Sequence, residues 1–188
     1  FRRVLFRSAR PIDIDWSKDE LKKILSHRLS FFSDHKVKVE DVFEDSKKLN
    51  KVIELANGSP RQLTMLLARI YDEQSKIDGN VKKFSDDAVK QGMNSFCQNF
   101  EYELFYPQMT IKDVVNRILK VGKTEFIISD LASATKKSIP TATNWVRTMK
   151  NVGFVEEIEG EISGKAKVYK VIEPKIRYMV EYGLSYLG

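Results

Sequence analysis

ISDLASATKKSIPTATNWVRTMKN, residues 128–151, is the stretch whose reading decides the fold. Ile128 to Thr135 reads as a short helix, and Lys136, Lys137 and Ser138 as a polar turn. Pro140 then pre-sets the first turn of a second helix, which runs to Asn151 and is terminated by Gly153. Ala142, Val146 and Met149 recur at spacings of four and three, so they share one inward face. That register leaves Thr141, Thr143, Asn144, Arg147 and Thr148 outward. Upstream, Ile111 to Lys120 is a helix with Val114, Val115, Ile118 and Leu119 on its apolar side. Downstream, Phe154 to Ile158 and Lys167 to Ile172 alternate as two strands, with Gly160 and Gly164 in the hairpin between them.

Residues 12–106 have a different texture and read as four helices. Ser17-Lys-Asp-Glu20 has capping-box spacing and opens a helix whose Leu21, Ile24, Leu25, Leu29 and Phe32 face inward. A second helix starts near Ser46, buries Leu49, Val52, Ile53 and Ala56, and stops at Asn57-Gly58. Ser59 caps a third with Pro60 at its first position, and Leu63, Leu66, Leu67 and Ile70 form its stripe. Asp78-Gly79-Asn80 is a turn. Ser85 caps a fourth helix, expected to carry Met93, Phe96, Cys97, Phe100 and Leu104 on one face and to end at Pro107.

Composition excludes several classes. The chain has 188 residues, 31% of them charged, and no apolar run of the roughly 20 residues a membrane-spanning helix needs. No membrane partner is therefore expected. The single cysteine, Cys97, can form no internal disulfide and no Cys cluster for zinc, which points to the cytoplasm. The net charge of +6 is uneven: Arg2, Arg3, Arg7 and Arg10 supply four charges within residues 1–10, with no acid among them. A basic arm for nucleic acid is one reading of that segment. The preferred one is a non-native tail, set aside from the fold. Residues 107–173 hold 11 basic and 8 acidic residues, whereas residues 11–106 hold 15 and 17.

No catalytic motif emerges. Val121-Gly-Lys-Thr124 imitates part of a phosphate loop, but the position five before Gly122 is Arg117, inside an amphipathic helix, where a glycine is required. The two histidines, His27 and His35, have no metal-binding spacing. Asp13 with Asp15 and Asp86 with Asp87 sit on a strand stub and at a helix start, where carboxylates complement the dipole. The chain is thus expected to be no enzyme by itself and to hold no metal. Gly58-Ser-Pro-Arg61 is the most informative tetrapeptide, because an arginine in the first turn of a capped helix lies beside unpaired backbone donors suited to phosphate oxygens.

In context, Gly58-Ser-Pro-Arg61 resembles the sensor-2 segment of AAA+ and related STAND-type P-loop ATPases. Residues 12–106, with the strand stub Ile12 to Trp16, the helix containing His27-Arg28-Leu29 and the segment Asn57 to Tyr71, resemble the end of such an ATPase core and its helical lid. The resemblance implies that Arg61 approaches the γ-phosphate of ATP bound by an upstream core. Walker A and Walker B segments are not in this chain, so ATP is expected only together with that core and the chain is expected to be a C-terminal fragment. Homo-oligomerisation belongs to the same expectation.

The order of elements in residues 109–173 is that of a winged helix-turn-helix, and this stretch resembles winged-helix DNA-binding domains. The expected fold is thus mainly α: a tail at 1–10, a four-helix lid-like bundle at 11–106, a winged helix with a two-stranded β wing at 107–173, and a C-terminal helix at 174–188. The resemblance implies double-stranded DNA as partner, with Thr141, Thr143, Asn144 and Arg147 at bases or phosphates and Lys136, Lys137 and Lys150 at phosphates. Trp145 reads as a packing residue on a shoulder of the helix. The wing argues the other way, since Glu156, Glu157, Glu159 and Glu161 cluster before its tip, although alternate residues can point away and pair with Lys165, Lys167 and Lys170. Alternatives stay open: a stand-alone winged-helix transcriptional regulator, or a protein-docking adaptor using no ATP.

Overall fold

The computed structural model describes residues 16–34, 36–43, 45–80, 82–102, 110–158 and 167–187. The fold is mainly helical with one small antiparallel sheet. In chain order the elements are α1 (Lys18–Phe32), α2 (Val39–Val42), α3 (Ser46–Leu55), α4 (Pro60–Ile77), α5 (Asp86–Gln98), α6 (Ile111–Val121), β1 (Glu125–Ile127), α7 (Ile128–Thr135), α8 (Ile139–Asn151), β2 (Val155–Ile158), β3 (Val168–Val171) and α9 (Pro174–Tyr182).

Local chemistry sets most boundaries. Ser17 and Glu20 form the expected capping box: the Glu20 N–H donates to Ser17 Oγ at 3.3 Å and the Ser17 N–H donates to Glu20 Oε2 at 2.8 Å. Asp45, Ser59, Ser85, Thr110 and Ser138 cap α3, α4, α5, α6 and α8 through their side-chain oxygens. The Val121-Gly-Lys-Thr124 segment is a helix end: Val121 closes α6, Gly122 takes φ +68° after it, and Lys123 pairs with Asp130 at 3.3 Å.

Three features differ from the sequence expectation. A one-turn helix, α2, lies between the first two expected helices and buries Val39 and Val42. At four residues it is too short to produce a helical period. Helix α5 ends at Gln98 rather than near Pro107, because Asn99 leaves helical geometry and its side-chain amide donates back to the Ser95 carbonyl at 3.0 Å. Phe100 accordingly packs from the following segment, and Leu104 and Pro107 lie outside the described residues. Thirdly, the sheet has three strands in the order β1-β3-β2. β1 pairs Glu125 with Lys170, Phe126 with Tyr169 and Ile127 with Val168, so the expected strand pair gains a third member beside β3. Three residues give too little alternation to be read as a strand.

Packing is tightest between α4 and α5. Gly92 faces the backbone of Ile70 so closely that a Cβ there would lie 2.6 Å from the Ile70 Cα. The loop joining these helices is closed by buried Gln74, whose Oε1 accepts from the Ser85 N–H at 2.7 Å and whose Nε2 donates to the Asp78 carbonyl at 3.0 Å.

Helix α9 then joins the two halves of the chain, packing on α3 and α5 on one side and on α6 and β3 on the other. Arg177 pairs with Glu54, Lys51 with Glu181 at 3.1 Å, and the Tyr178 hydroxyl donates to Asn94 Oδ1 at 3.0 Å. After α9, the Leu187 N–H donates to the Gln98 carbonyl at 2.8 Å and the Tyr186 hydroxyl to the Phe100 carbonyl at 2.8 Å. One continuous hydrophobic core therefore runs from Leu21 on α1 to Met179 on α9.

Two measurements test this packing. Gly92→Ala is expected to lower unfolding free energy by about 1–3 kcal/mol, because the contact is with backbone and cannot be relieved by a rotamer change; urea denaturation followed by circular dichroism reads it. Cys97 is buried, and burial raises its thiol to about 12. A pKa raised in the folded state favours folding below the unfolded-state value of about 8.5 and ceases to do so as pH climbs toward 12. Native protein at pH 8 is expected to resist a thiol-specific reagent that labels the urea-unfolded chain within minutes, and Cys97→Val is expected to flatten the loss of stability above pH 8.5.

Candidate nucleic-acid interface and the Arg61 cleft

The residues singled out in the sequence fall in two places. The first is the surface of α7, its turn and α8. Helix α8 begins at Ser138, whose Oγ accepts from the Thr141 N–H at 3.4 Å and lies 2.9 Å from Thr141 Oγ1. Ala142, Val146 and Met149 are buried, as their spacing implies, against α7 and the sheet. Asn144, Arg147 and Lys150 are exposed, and Thr141, Thr143 and Thr148 are half-buried at the edges of the same face. The Thr143 hydroxyl donates to the Ile139 carbonyl at 2.9 Å and that of Thr148 to the Asn144 carbonyl at 3.3 Å. Both hydroxyl oxygens keep acceptor capacity toward solvent.

Lys136 and Lys137 stand exposed at the turn before α8. Lys136 has φ +54° and ends α7, and the Lys137 N–H donates to the Ala132 carbonyl at 3.0 Å. Between Asp130 and Glu156 the sequence contains no acidic residue and four cations, Lys136, Lys137, Arg147 and Lys150. The +3 of residues 107–173 is therefore concentrated in this stretch of the sequence.

Trp145 sits on the shoulder of α8. The Arg117 guanidinium of α6 lies over its ring, 4.0 Å from the centroid. That stacking covers one ring face with a cation, so Trp145 serves as a brace between α6 and α8.

The strands of the sheet sort their charges by face. Glu156 is registered with Lys170, which is in turn registered with Glu125 and lies 3.9 Å from its carboxylate. Glu157 alternates to the opposite face. Its Oε2 accepts from Lys150 Nζ at 2.9 Å and its Oε1 lies 2.7 Å from Lys167 Nζ. Those two ammonium groups hold the Glu157 carboxyl below its ordinary pKa, and Glu157 in turn raises Lys167. Of the cationic residues expected at phosphates, Lys150 is thus already paired within the fold. Glu159, Glu161 and Lys165 lie outside the described residues.

The second place is a cleft of about 640 Å³ between α4, the segment 99–102, the turn 152–154 and the start of α9. Arg61 is exposed in the first turn of α4, and Arg69 reaches the same cleft two turns later. The incoming chain is fixed here too: the Trp16 N–H donates to the Gly58 carbonyl at 3.1 Å, and Arg28 donates to Thr64 Oγ1 at 2.8 Å.

The floor of the cleft holds a residue that sequence reading missed. Lys175, 1% exposed, donates to Glu173 Oε1 at 2.7 Å and to Gln62 Oε1 at 3.0 Å, and its Nζ is 4.3 Å from the centre of the Phe100 ring. Glu173 Oε2 accepts from the Ile176 N–H at 2.9 Å and from the Tyr102 hydroxyl at 3.1 Å. Burial, with the Glu173 carboxylate second, pushes the Tyr102 hydroxyl well above its ordinary value. Glu-Pro-Lys before an apolar helix reads as an ordinary capped start, so the only available signal was a lysine at an otherwise inward position.

His27 is exposed on α1, while His35, Asp13 and Asp15 lie outside the described residues. Asp86 forms an ion pair with Lys48. Among the described residues no group of three or more His, Cys, Asp or Glu side chains is placed to hold a metal ion. No protein-family model matches the chain, and a search of curated proteins finds no similar one.

Removing one member of the buried pair tests its weight. Lys175→Met is expected to cost roughly 3–5 kcal/mol in urea unfolding, because it leaves the Glu173 carboxylate buried without its cation. Glu173→Gln with Lys175→Met is expected to recover a large part of that loss.

Proposed function

We propose that this chain is the regulatory C-terminal region of a P-loop ATPase, in which residues 107–173 form a winged helix that binds double-stranded DNA through α8. The observation that carries the DNA reading is the composition of one face. A capped helix presents Thr141, Asn144 and Arg147 outward, Lys136 and Lys137 stand at its entry, and no carboxylate occurs from Leu131 to Val155. Side chains of this kind donate to and accept from base edges in a major groove, while the lysines at the turn meet phosphates. The order α6, β1, α7, α8, β2, β3 supports the winged-helix reading. Among the described residues no helix is long and apolar enough to cross a membrane.

The lid half of the proposal assigns Arg61 to the γ-phosphate of ATP held by an upstream core. Its support is the position of Arg61 in the first turn of α4, beside the Ser59 cap and on the cleft that the turn 152–154 closes from the other half. A phosphate drawn to Arg61 would lie within reach of both halves, so the occupancy of that site would bear on where the winged helix sits. One feature favours a protein-docking role for the same surface: Ile139, at the start of α8, is half exposed, and an aliphatic side chain there suits a protein partner.

Fluorescence anisotropy with a short duplex, titrated from low to moderate salt, tests the DNA reading. Wild type is expected to lose affinity steeply as salt rises. Lys137→Ala with Arg147→Ala is expected to flatten the log–log slope by about 1.8, at about 0.9 per phosphate contact. Absence of binding at low salt overturns the DNA reading and leaves protein docking. The ATPase half is tested by the coding sequence upstream in frame: a GxxxxGK[ST] loop followed by an acidic Walker B strand is expected, and its absence there overturns that half.

A further inference from the structure

We propose that Glu157 is an electrostatic brake on nucleic-acid binding by this chain, holding Lys150 of α8 and Lys167 of the wing away from phosphates until its charge is removed or outcompeted. The inference rests on the DNA reading above and assigns its regulation to one side chain.

The geometry is that of a single carboxylate shared by two lysines. Glu157 Oε2 takes Lys150 at 2.9 Å, and Oε1 takes Lys167 at 2.7 Å. Lys150 belongs to α8 and Lys167 immediately precedes β3, so the carboxylate pins the end of α8 to the wing. On α8 the spacing Thr143, Arg147, Lys150 places all three along one stripe. That stripe continues past the end of the helix to Glu157 and Lys167. Among the described residues, Glu157 is thus a negative charge set between the cation at the end of this stripe and Lys167.

Among the described residues, the other carboxylates of the sheet lie elsewhere. In the sheet register Glu156 stands opposite Lys170, whose other neighbour is Glu125, and pleating puts this trio on the face away from α8. Among the described wing residues, Glu157 is the carboxylate on the α8 side. A phosphate approaching Lys150 meets both a lysine already hydrogen-bonded to Glu157 and, in that carboxylate, a group of like charge beside it. Exposed ion pairs are weak, so the restraint is modest and reversible, which suits a contact that tunes affinity. Any group that neutralises or engages Glu157 frees two cations at once.

The test compares wild type, Glu157→Gln, Lys150→Gln and the double variant by anisotropy on a random-sequence duplex over a salt series. Glu157→Gln is expected to bind about 10-fold tighter at low salt and to steepen the log–log salt slope by up to about 1.8, since two lysines become available. Lys150→Gln alone is expected to change wild-type affinity less than 2-fold, because that lysine is already held, whereas in the Glu157→Gln background it removes about half of the added slope. Glu157→Ala carries the same prediction should the glutamine variant melt early. An unchanged or shallower slope for Glu157→Gln, with wild type still binding, overturns the brake and leaves the DNA reading standing. No binding by wild type or by Glu157→Gln at low salt overturns both.

Discussion

Lys175 and Glu173 form an ion pair withdrawn from water where the two halves of the chain meet, and the architecture depends on that pair being complete. Two charges in a low-dielectric interior are unfavourable unless each remaining donor and acceptor is met. Here Gln62 of α4 takes a second proton of Lys175, the Phe100 ring lies against the ammonium, and Tyr102 with the Ile176 N–H fills Glu173. The partners come from α4, from the segment after α5 and from α9. The pair is satisfied only when the N-terminal bundle and the C-terminal unit are docked in this one arrangement. A purely apolar contact between the halves would tolerate sliding; this one specifies register.

That constraint gives the cleft its character. Arg61 and Arg69 line its mouth while Glu173 and Lys175 form part of its floor, so charge at the mouth and charge at the junction share one small volume. Anything anionic that settles near Arg61 changes the field at the ion pair on which docking depends, and interactions between charges strengthen as water is excluded from between them. The aromatic series Phe96, Phe100, Tyr102 and Phe154, each ring within 5.4 Å of the next, carries the same contact into the β2 end of the sheet. Packed rings and the buried ion pair thus connect α4 and the segment after α5 to the β2 end of the sheet.

Much of this was legible in the sequence, for a physical reason. Caps, helix-ending glycines and apolar spacing are local signals, and they located α1, α3, α4, α6, α7 and α8 together with the inward residues of α8. What escaped was either too short to be periodic, as with α2 and β1, or non-local. Gln74 closing the α4–α5 loop, Lys175 in its buried pair and Arg117 over Trp145 each depend on a partner far along the chain. The end of α5 was misplaced because its aromatic spacing continues through Phe100 after the backbone has left the helix at Asn99. For the candidate site, the outward residues of α8 could be listed from periodicity alone, but the fate of Lys150 could not, because its partner is on another element.

The wing shows how charge counting and charge geometry diverge. Counted along the sequence, its glutamates oppose a polyanionic partner. Sorted by the pleat, Glu156 joins Glu125 and Lys170 on the face away from α8, and among the described residues Glu157 turns toward the helix, where two lysines pair with it. The end of α8 is then less positive than two lysines alone would make it, since one carboxylate is set against two ammonium groups. Among the described residues, the partner of Lys150 and Lys167 is chosen by the strand register: a slip of one residue between β2 and β3 would turn Glu157 to the face away from α8.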